Sequence, residues 1–286
     1  MKNISLLLSL LISATLSAQR DFDDVVITSE KLTDNVYVLF GAGGNIGLAI
    51  GEEAAYLVDD QFGPLTDKIV AHVKTLTDRP INFVLNTHLH GDHTGGNENL
   101  AKAGALIFAP DNVRKRMEAS EEPNPKEALP VVTFNDKMTL HLGGGKSIHA
   151  MHVNPAHTDG DTYYYFSEDN LIHMGDNFFS GRYPYLDLSS GGDIDGLISN
   201  LKMALGIVDE GTRIIPGHGP VSSKKDLESY TEILVTLRER VKKARAEGNS
   251  LEETQNLDLS KEWDATHGQG FINADKIVEF IYKSAV

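Results

Sequence analysis

The chain has 286 residues, of which 41% are hydrophobic, and this is enough to bury one large core. Its formal net charge of −15 argues against a polyanionic partner such as nucleic acid and against an anionic membrane surface. The sequence contains no cysteine, so disulfides are excluded and any metal site must use nitrogen and oxygen ligands.

The first 18 residues, MKNISLLLSLLISATLSA, have the composition of a secretory signal peptide. A lysine stands near the start, the apolar run that follows is too short to span a bilayer comfortably, and small residues end the segment. We expect cleavage after Ala18 and a periplasmic or secreted mature protein. No later segment is apolar enough to cross a membrane, so the mature chain is expected to be soluble.

Short β-type runs follow the signal, and they are rich in β-branched and aromatic residues and separated by Gly and Asn. They are DVVITSEKL, NVYVLFG, NIGLAIG and AAYLVDD, and they predict an antiparallel meander. The apolar spacing over 65–76 predicts an amphipathic helix, after which INFVLNT is predicted to be a buried strand. Residues 94–103 and 110–119 are predicted to be helical, and ASEEPNPKEALP to be a surface loop.

The second half repeats this plan. Strands are predicted at 131–134, 137–142, 147–153, 162–166 and 171–174, then a helix at 195–206 and a strand at RIIPG. A long amphipathic helix is predicted from Lys224 to Glu247, a short one at the capping box of Ser250 and Glu253, and a last one over NADKIVEFIYKSAV. We expect one domain over 19–286, with a core over about 25–235 and a C-terminal helical extension over 236–286. Its class is α/β, with two sheets packed face to face and helices outside.

Two glycine-rich stretches imitate nucleotide-binding motifs without meeting their requirements. GAGGNIG lacks the third glycine of a dinucleotide fingerprint, because Ile46 stands there, and β-type sequence follows where a helix is needed. GGGKS lacks the first glycine of a phosphate loop, because Leu140 stands there, and no helical pattern follows. Both stretches are therefore predicted to be turns.

The stretch NTHLHGDHTGGN, which follows the strand INFVL, indicates a metal site. His88 and His90 are two residues apart, so in an extended chain their side chains point the same way. Gly91 allows the chain to turn, and Asp92 and His93 follow it. Four side chains that can bind a metal therefore converge on a small volume.

Three further candidates stand beside Gly or Pro after apolar runs. They are His157 in VNPAHTDGD, Asp176 in IHMGDNFF and His218 in IIPGHGP. Each has the setting of a ligand that a rigid strand presents on a loop. Together with the cluster they supply five imidazoles and two carboxylates, which are enough for two metal ions.

The motif HLHGDH, followed in order by His157, Asp176 and His218, resembles the metallo-β-lactamase superfamily, and the resemblance covers residues 25–235. It implies a four-layer αββα sandwich with two Zn²⁺ ions at one edge between the sheets. It assigns one zinc to His88, His90 and His157, the other to Asp92, His93 and His218, and a bridging position to Asp176.

The resemblance implies a metal-dependent hydrolase. Zinc lowers the pKa of bound water from about 15.7 to about 7, so a metal-bound hydroxide can attack a carbonyl or phosphoryl centre at neutral pH. Asp92 is expected to anchor the second ion and orient the nucleophile, which makes it the catalytic candidate. His152, His173, Asp159 and Asp161 lie near the ligands and are candidates for orienting them.

The expected substrate is a small molecule with a carbonyl bond, such as a β-lactam, a lactone or an ester. Export and acidic charge count against cytosolic thioesters and nucleic acid. Arg182, Tyr183 and Tyr185 are candidate substrate-binding residues, with Arg182 pairing a substrate carboxylate, and GAGGN and DQFGP are candidates for the opposite rim.

Four alternatives stay open. They are a dedicated β-lactamase, a thioesterase, a phosphodiesterase and a non-catalytic metal-binding module. The well-known β-lactamases of the family carry cysteine or serine where this chain has Asp176, whereas its broader hydrolases carry the aspartate. The oligomeric state is not indicated.

Overall fold

A computed structural model describes residues 22–122 and 124–284 of the chain. The predicted signal peptide, residues 1–18, lies outside the described residues. Two β-sheets form the centre of the fold, as expected.

The first sheet begins as an antiparallel meander and continues as parallel strands from its fourth strand onward. Its strands, in spatial and chain order, are β1 (Thr28–Lys31), β2 (Val36–Phe40), β3 (Ile46–Ile50), β4 (Ala55–Val58), β5 (Ile81–Leu85), β6 (Leu106–Pro110) and β7 (Val132–Phe134).

The second sheet runs in the spatial order β12-β11-β10-β9-β8 and is antiparallel except for the pair β11–β12. Its strands are β8 (Lys137–Gly143), β9 (Lys146–His152), β10 (Thr162–Phe166), β11 (Leu171–His173) and β12 (Arg213–Ile215).

The described residues form nine α-helices, most of which lie on the outer faces of the two sheets. They are α1 (Thr66–Leu76), α2 (Gly91–Thr94), α3 (Asn97–Lys102), α4 (Asp111–Glu118), α5 (Ile194–Ile207), α6 (Lys224–Ala246), α7 (Leu251–Gln255), α8 (Lys261–His267) and α9 (Ala274–Ser284). No helix within 22–122 and 124–284 combines the length and the apolar character that a bilayer crossing needs.

The alternation of side chains along each strand creates the layers. In β2, Val36 and Val38 face the second sheet, where they pack with Tyr164 and Ile215, while Leu39 faces α1. On the far side, the outer face of the second sheet packs against α5, α6 and α9. The order helix, sheet, sheet, helix confirms the predicted αββα sandwich.

Most predicted elements are present within a few residues. The long helix α6 buries the predicted apolar face, including Leu227, Leu234 and Val241, and its N-terminus carries a capping box of Ser223 and Asp226. The strand β6 and the helix α8 are absent from the sequence prediction. The five-residue strand β6 directly follows α3, so its short apolar run could not be distinguished from the helix by periodicity.

Candidate metal centre

Strand ends place the seven predicted ligands at one edge of the sandwich. The segment after β5 carries His88, His90, Asp92 and His93, and its turn is the one-turn helix α2. From the second sheet, His157 follows β9, Asp176 follows β11 and His218 follows β12, each on a turn. The two sheets therefore contribute facing halves of one site.

Three imidazoles and one carboxylate form the first group of ligand atoms. His88, His90, His157 and Asp176 each place one such atom within 4.8 Å of the others. The shortest contact joins His157 Nε2 to His90 Nδ1 at 2.9 Å. His88 is 1% exposed and His157 is fully buried, so water has little access to these two imidazoles.

Asp92, His93 and His218 form the second group. The Nε2 atoms of His93 and His218 are 3.4 Å apart. Asp92 Oδ2 lies 3.7 Å from His93 Nε2 and 3.4 Å from His218 Nε2. One oxygen and two nitrogens thus converge on a common point.

Asp176 lies between the two groups. Its Oδ2 atom is 3.8 Å from His88 Nε2 and 3.5 Å from His157 Nε2. Its Oδ1 atom is 3.2 Å from His93 Nε2 and 3.5 Å from His218 Nε2. One carboxylate oxygen therefore faces each group of ligands.

Hydrogen bonds on the outer nitrogens fix the tautomers of the first group. His157 Nδ1 donates to the Tyr185 carbonyl oxygen at 2.8 Å, and His90 Nε2 donates to Asp187 Oδ2 at 3.1 Å. The remaining nitrogens, His157 Nε2 and His90 Nδ1, are then lone-pair acceptors in the neutral rings.

One carboxylate, that of Asp59, orients a histidine of each group. His93 Nδ1 donates to Asp59 Oδ2 at 2.7 Å. The Thr87 hydroxyl donates to the same oxygen at 2.8 Å and accepts from His88 Nδ1 at 3.0 Å. In the neutral rings, both Nε2 atoms are then acceptors that face the centre.

The donor set fits metal ions. Two imidazole lone pairs at 2.9 Å repel each other in the absence of a cation, and His88 Nε2 is buried with no hydrogen-bond partner among the described residues. Asp176 Oδ1 also lacks a hydrogen bond of acceptable geometry, although His93 Nε2 lies 3.2 Å away. Imidazole nitrogen and carboxylate oxygen are ligands that suit Zn²⁺.

In the metal-free protein, the surroundings lower the pKa of two of the imidazoles and raise the pKa of two others. Burial lowers the pKa of His88, and neighbouring imidazoles lower it further. Burial also lowers the pKa of His157. Burial opposes protonation of His93 and His218 as well, but carboxylates led by Asp176 outweigh it, raising the pKa of His93 well above its usual value and that of His218 to about 9.

The carboxylates of the centre stay ionised at neutral pH. Burial alone would raise the pKa of Asp176, but His93, His218 and His88 outweigh it and hold that pKa well below its ordinary value. Burial is likewise outweighed at Asp92, where His93 and His218 lower the carboxyl pKa. Both side chains are therefore available as anionic ligands.

A cavity of about 570 Å³ opens over the centre. Arg182 and Tyr185 line it as predicted. Tyr183 contributes only its ring, because its hydroxyl donates to Asp264 Oδ1 at 2.9 Å and the residue is 2% exposed. Its phenol is therefore not available to a substrate.

The glycine-rich rim has a steric reason. A Cβ atom on Gly44 would lie 2.1 Å from His93 Cε1, so only glycine fits above this ring. Gln61 Nε2 donates to the Gly44 carbonyl oxygen at 2.6 Å, and Ala42 and Phe62 line the cavity. The stretches GAGGN and DQFGP thus meet at the rim, as predicted.

The orienting residues differ from those named by the sequence. Asp161 accepts from the His157 backbone N–H at 2.7 Å, so it holds the loop and not the ring. His152 and His173 bond backbone carbonyl oxygens, and Asp159 pairs with Arg116.

Sequence reasoning missed the residues that hold the rings, which are Asp59, Thr87 and Asp187. Asp59 had a usable signal, because it directly follows the buried strand β4 in AYLVDD. Asp187 had none, because it lies 97 positions from its partner His90.

A family model decides the relationship of this chain to known proteins. The model of the metallo-β-lactamase superfamily matches residues 39–218, which include all seven predicted ligands. The chain belongs to the metallo-β-lactamase superfamily. This membership, together with relatives named as hydrolases, confirms the expectation of a metal-dependent hydrolase.

Sequence relatives of this superfamily member include enzymes with two kinds of name. The hydroxyacylglutathione hydrolase of Methylobacillus flagellatus is 29% identical over 68% of this chain and 74% of its own length. The Bacillus subtilis protein named "Probable metallo-hydrolase YqgX" is 28% identical over 54% of this chain and 75% of its own length.

Solved structures of other proteins share the fold. A metallo-β-lactamase from Pontibacter korlensis matches 73% of this chain and 99% of its own, with a TM-score of 0.64 at 18% identity. The sec-alkyl sulfatase PisA1 matches 92% of this chain and 50% of its own, with a TM-score of 0.72 at 14% identity. At these identities the matches show the fold alone.

Proposed function

We propose that this superfamily member is a binuclear zinc hydrolase that cleaves a carbonyl bond of a small molecule. The observation that carries the proposal is the position of Asp176, whose two oxygens face two separate groups of ligand atoms. His88, His90 and His157 would hold one ion, and Asp92, His93 and His218 the other, with Asp176 bridging. When bound, zinc supplies a nucleophile from water at neutral pH and a Lewis acid for the substrate oxygen.

The side chains of the protein have distinct tasks in this proposal. Asp92, with its lowered pKa, is an ionised hydrogen-bond acceptor beside the cavity and orients the nucleophile. Asp59 and Asp187 hold the rings of the ligands, so the site is organised before substrate arrives. Arg182 has an exposed guanidinium at the cavity and binds a substrate carboxylate.

The proposed bond classes are β-lactam, lactone and ester. Thioester hydrolysis is the second candidate, because the chain is similar in sequence to proteins named hydroxyacylglutathione hydrolase. Asp176, in place of the cysteine or serine of the well-known β-lactamases, weighs against a dedicated β-lactamase. A non-catalytic module is not favoured, since all seven ligand positions are filled by residues that can bind a metal.

The test combines metal content with turnover on one sample. Elemental analysis of purified protein is expected to give two zinc ions per chain, and a chelator should abolish hydrolysis of at least one compound in a panel. The panel holds a chromogenic cephalosporin, a lactone, a thioester and a nitrophenyl phosphodiester. The variant His88→Ala should lose metal and turnover, whereas His141→Ala, at an exposed histidine outside the site, should retain both. A zinc-loaded protein that cleaves none of the three carbonyl compounds would overturn the proposal, and cleavage of the phosphodiester alone would favour a phosphodiesterase.

We also propose that the protein acts after export, on the strength of the signal-like composition of residues 1–18. Mass spectrometry of protein recovered from its own host should give a mature N-terminus at Gln19. Recovery of the chain with residues 1–18 still attached would contradict export by cleavage.

A further inference from the structure

The C-terminal extension reaches the substrate cavity. The cavity is lined by Phe271 and Ile272, which lie on the loop 268–272 between α8 and α9, whereas the family model ends at residue 218. This part of the site therefore lies outside the part of the chain that the family model matches.

Helix α8 and the loop after it pack against the segment that carries the substrate-binding candidates. The Tyr183 backbone N–H donates to the His267 carbonyl oxygen at 3.0 Å. The Tyr183 hydroxyl donates to Asp264 at 2.9 Å, and a Cβ atom on Gly270 would lie 3.4 Å from Arg182 Cδ. The loop is thus packed directly on the stem of Arg182.

Phe271 has an environment that needs an explanation. The next residue, Ile272, is 4% exposed within the core formed by α5, α6 and α9, yet Phe271 is 90% exposed. Its ring centroid lies 6.3 Å from that of Tyr185, which in turn lies 5.7 Å from the rings of His90 and His157. The anchored neighbour therefore holds an unburied phenyl ring at the mouth of the cavity.

The walls of the cavity combine apolar surface with a single permanent positive charge. Further apolar surface is supplied by Phe62, Phe179, Tyr185 and Ile272. Arg182 is the only lysine or arginine among the lining residues that the structure describes, and its guanidinium has no ion pair or hydrogen bond to any described residue. An unpaired guanidinium and an exposed aromatic ring on the same cavity favour a ligand that carries both an anion and an apolar group.

We propose that loop 268–272 and Arg182 select substrates that contain, besides the scissile carbonyl, both an aromatic or branched alkyl group and a carboxylate. This proposal rests on the proposed function. Phe271 contacts the apolar group, and Arg182 pairs with the carboxylate. Phe271 is thus a specificity-determining residue that lies outside the family-matched part of the chain.

The test separates binding from turnover. The binding probes are three amides. They are 3-(phenylacetamido)benzoate, which has both groups, 3-acetamidobenzoate, which lacks the phenyl ring of the acyl group, and phenylacetanilide, which lacks the carboxylate. Calorimetry on zinc-loaded protein should show the first bound about 10-fold or more tightly than either of the others. Esters that carry the same phenyl and carboxylate groups as these amides are assayed separately for hydrolysis.

Two variants assign the preferences to their residues. Phe271→Ala should weaken binding of 3-(phenylacetamido)benzoate about 3- to 10-fold and leave 3-acetamidobenzoate unchanged. Arg182→Ala should remove the preference for the carboxylate and leave phenylacetanilide unchanged, and Arg182→Lys should restore part of it. Leu257→Ala, at a half-exposed residue of the same extension, and Arg79→Ala, at an exposed arginine away from the cavity, are the matched controls.

The possible outcomes distinguish the two proposals. Equal affinity for the three amides, or a phenyl preference that survives in Phe271→Ala, overturns the selection proposal whatever the turnover. Selective binding without hydrolysis of any ester leaves selection standing and counts against ester hydrolysis. Hydrolysis without selectivity supports the hydrolase and removes the role of the extension.

Discussion

Each histidine of the first ligand group, and His93 of the second, is held by the ring nitrogen that faces away from the cavity. Asp187 holds His90 alone, whereas Asp59 holds His93 directly and His88 through Thr87. A single carboxylate therefore reaches both groups of ligands. This difference between Asp59 and Asp187 leads to a prediction.

Asp187→Asn should weaken the binding of one zinc ion, and Asp59→Asn should weaken the binding of both. Loss of such an orienting carboxylate typically costs about 10- to 100-fold in metal affinity. Titration of each protein with a chromogenic chelator measures the two affinities. Equal weakening of a single ion by both variants would contradict the arrangement, and Asp209→Asn, at a site remote from the centre, is the control.

Protonation of His93 and His218 predicts that zinc binding releases protons. At pH 7 the His218 ring is protonated in the metal-free protein, because its pKa is raised to about 9, and the carboxylates raise the pKa of His93 in the same direction. The ligands must be neutral, so zinc binding at pH 7 should release about one to two protons, and fewer as the pH rises through about 9. Calorimetric titrations in buffers of different ionisation enthalpy measure this number.

The same raised pKa affects the stability of the metal-free protein. Because the folded-state pKa of His218 lies above that of a free imidazole, its contribution to stability is complete below about pH 6.5 and is lost as the pH rises through about 9.

The calorimetric titrations also have an outcome that would contradict the prediction. If the number of protons released on zinc binding does not change between pH 7 and pH 10, the carboxylates do not hold these protons.

At the scale of elements, α5 packs unusually close to the loop that carries His157. A Cβ atom on Gly196, in the first turn of this helix, would lie 1.8 Å from the Pro155 carbonyl oxygen. Gly206, near the end of the same helix, has no atom within 4 Å of such a Cβ. One helix thus contains a glycine required by packing and a glycine that packing does not require.

The variants Gly196→Ala and Gly206→Ala should change stability in opposite directions. The first forces the helix away from Pro155 and should cost about 3 kcal/mol, while also weakening zinc because His157 moves. The second should stabilise the protein by about 0.5–1 kcal/mol, as alanine is the better helix former. Denaturant unfolding measures the free energy of unfolding of both variants. A Gly196→Ala variant as stable as the parent protein would show that α5 does not fix this loop.

The secondary structure was largely predictable from periodicity and turn residues. Helix α6 has an apolar face at helical spacing over 23 residues, so little else competes with that prediction. The turn of helix α2 was not predictable, because a four-residue element has no periodic signal. It forms through backbone hydrogen bonds from His93 and Thr94 to the His90 carbonyl oxygen.

At the scale of the whole molecule, the ligands come from both sheets of the sandwich. His88, His90, Asp92 and His93 follow β5 of the first sheet, whereas His157, Asp176 and His218 follow strands of the second. Metal ions at the centre would therefore join the two sheets, and their removal should lower the stability of the entire fold.

Chelation should lower the melting temperature of the whole protein. Binding at about 100 times the dissociation constant stabilises the folded state by about 2.7 kcal/mol, which corresponds to about 5–10 °C for a chain of this size. Scanning calorimetry before and after chelation measures the shift, and zinc but not calcium should restore it. An unchanged melting temperature in protein shown to have lost its zinc would mean that the ions do not join the sheets.

The sequence by itself determined the fold class and most of the candidate metal ligands, because the patterns that indicate them are local in the chain. Hydrophobic periodicity marks strands and helices over a few residues, and HLHGDH crowds four of the seven ligands into six positions. Only the tertiary structure decided which carboxylates hold the rings and that Phe271 and Ile272 line the cavity. Asp187 and His90, or Phe271 and Tyr185, meet through folding alone, and no local pattern in the chain records such a contact.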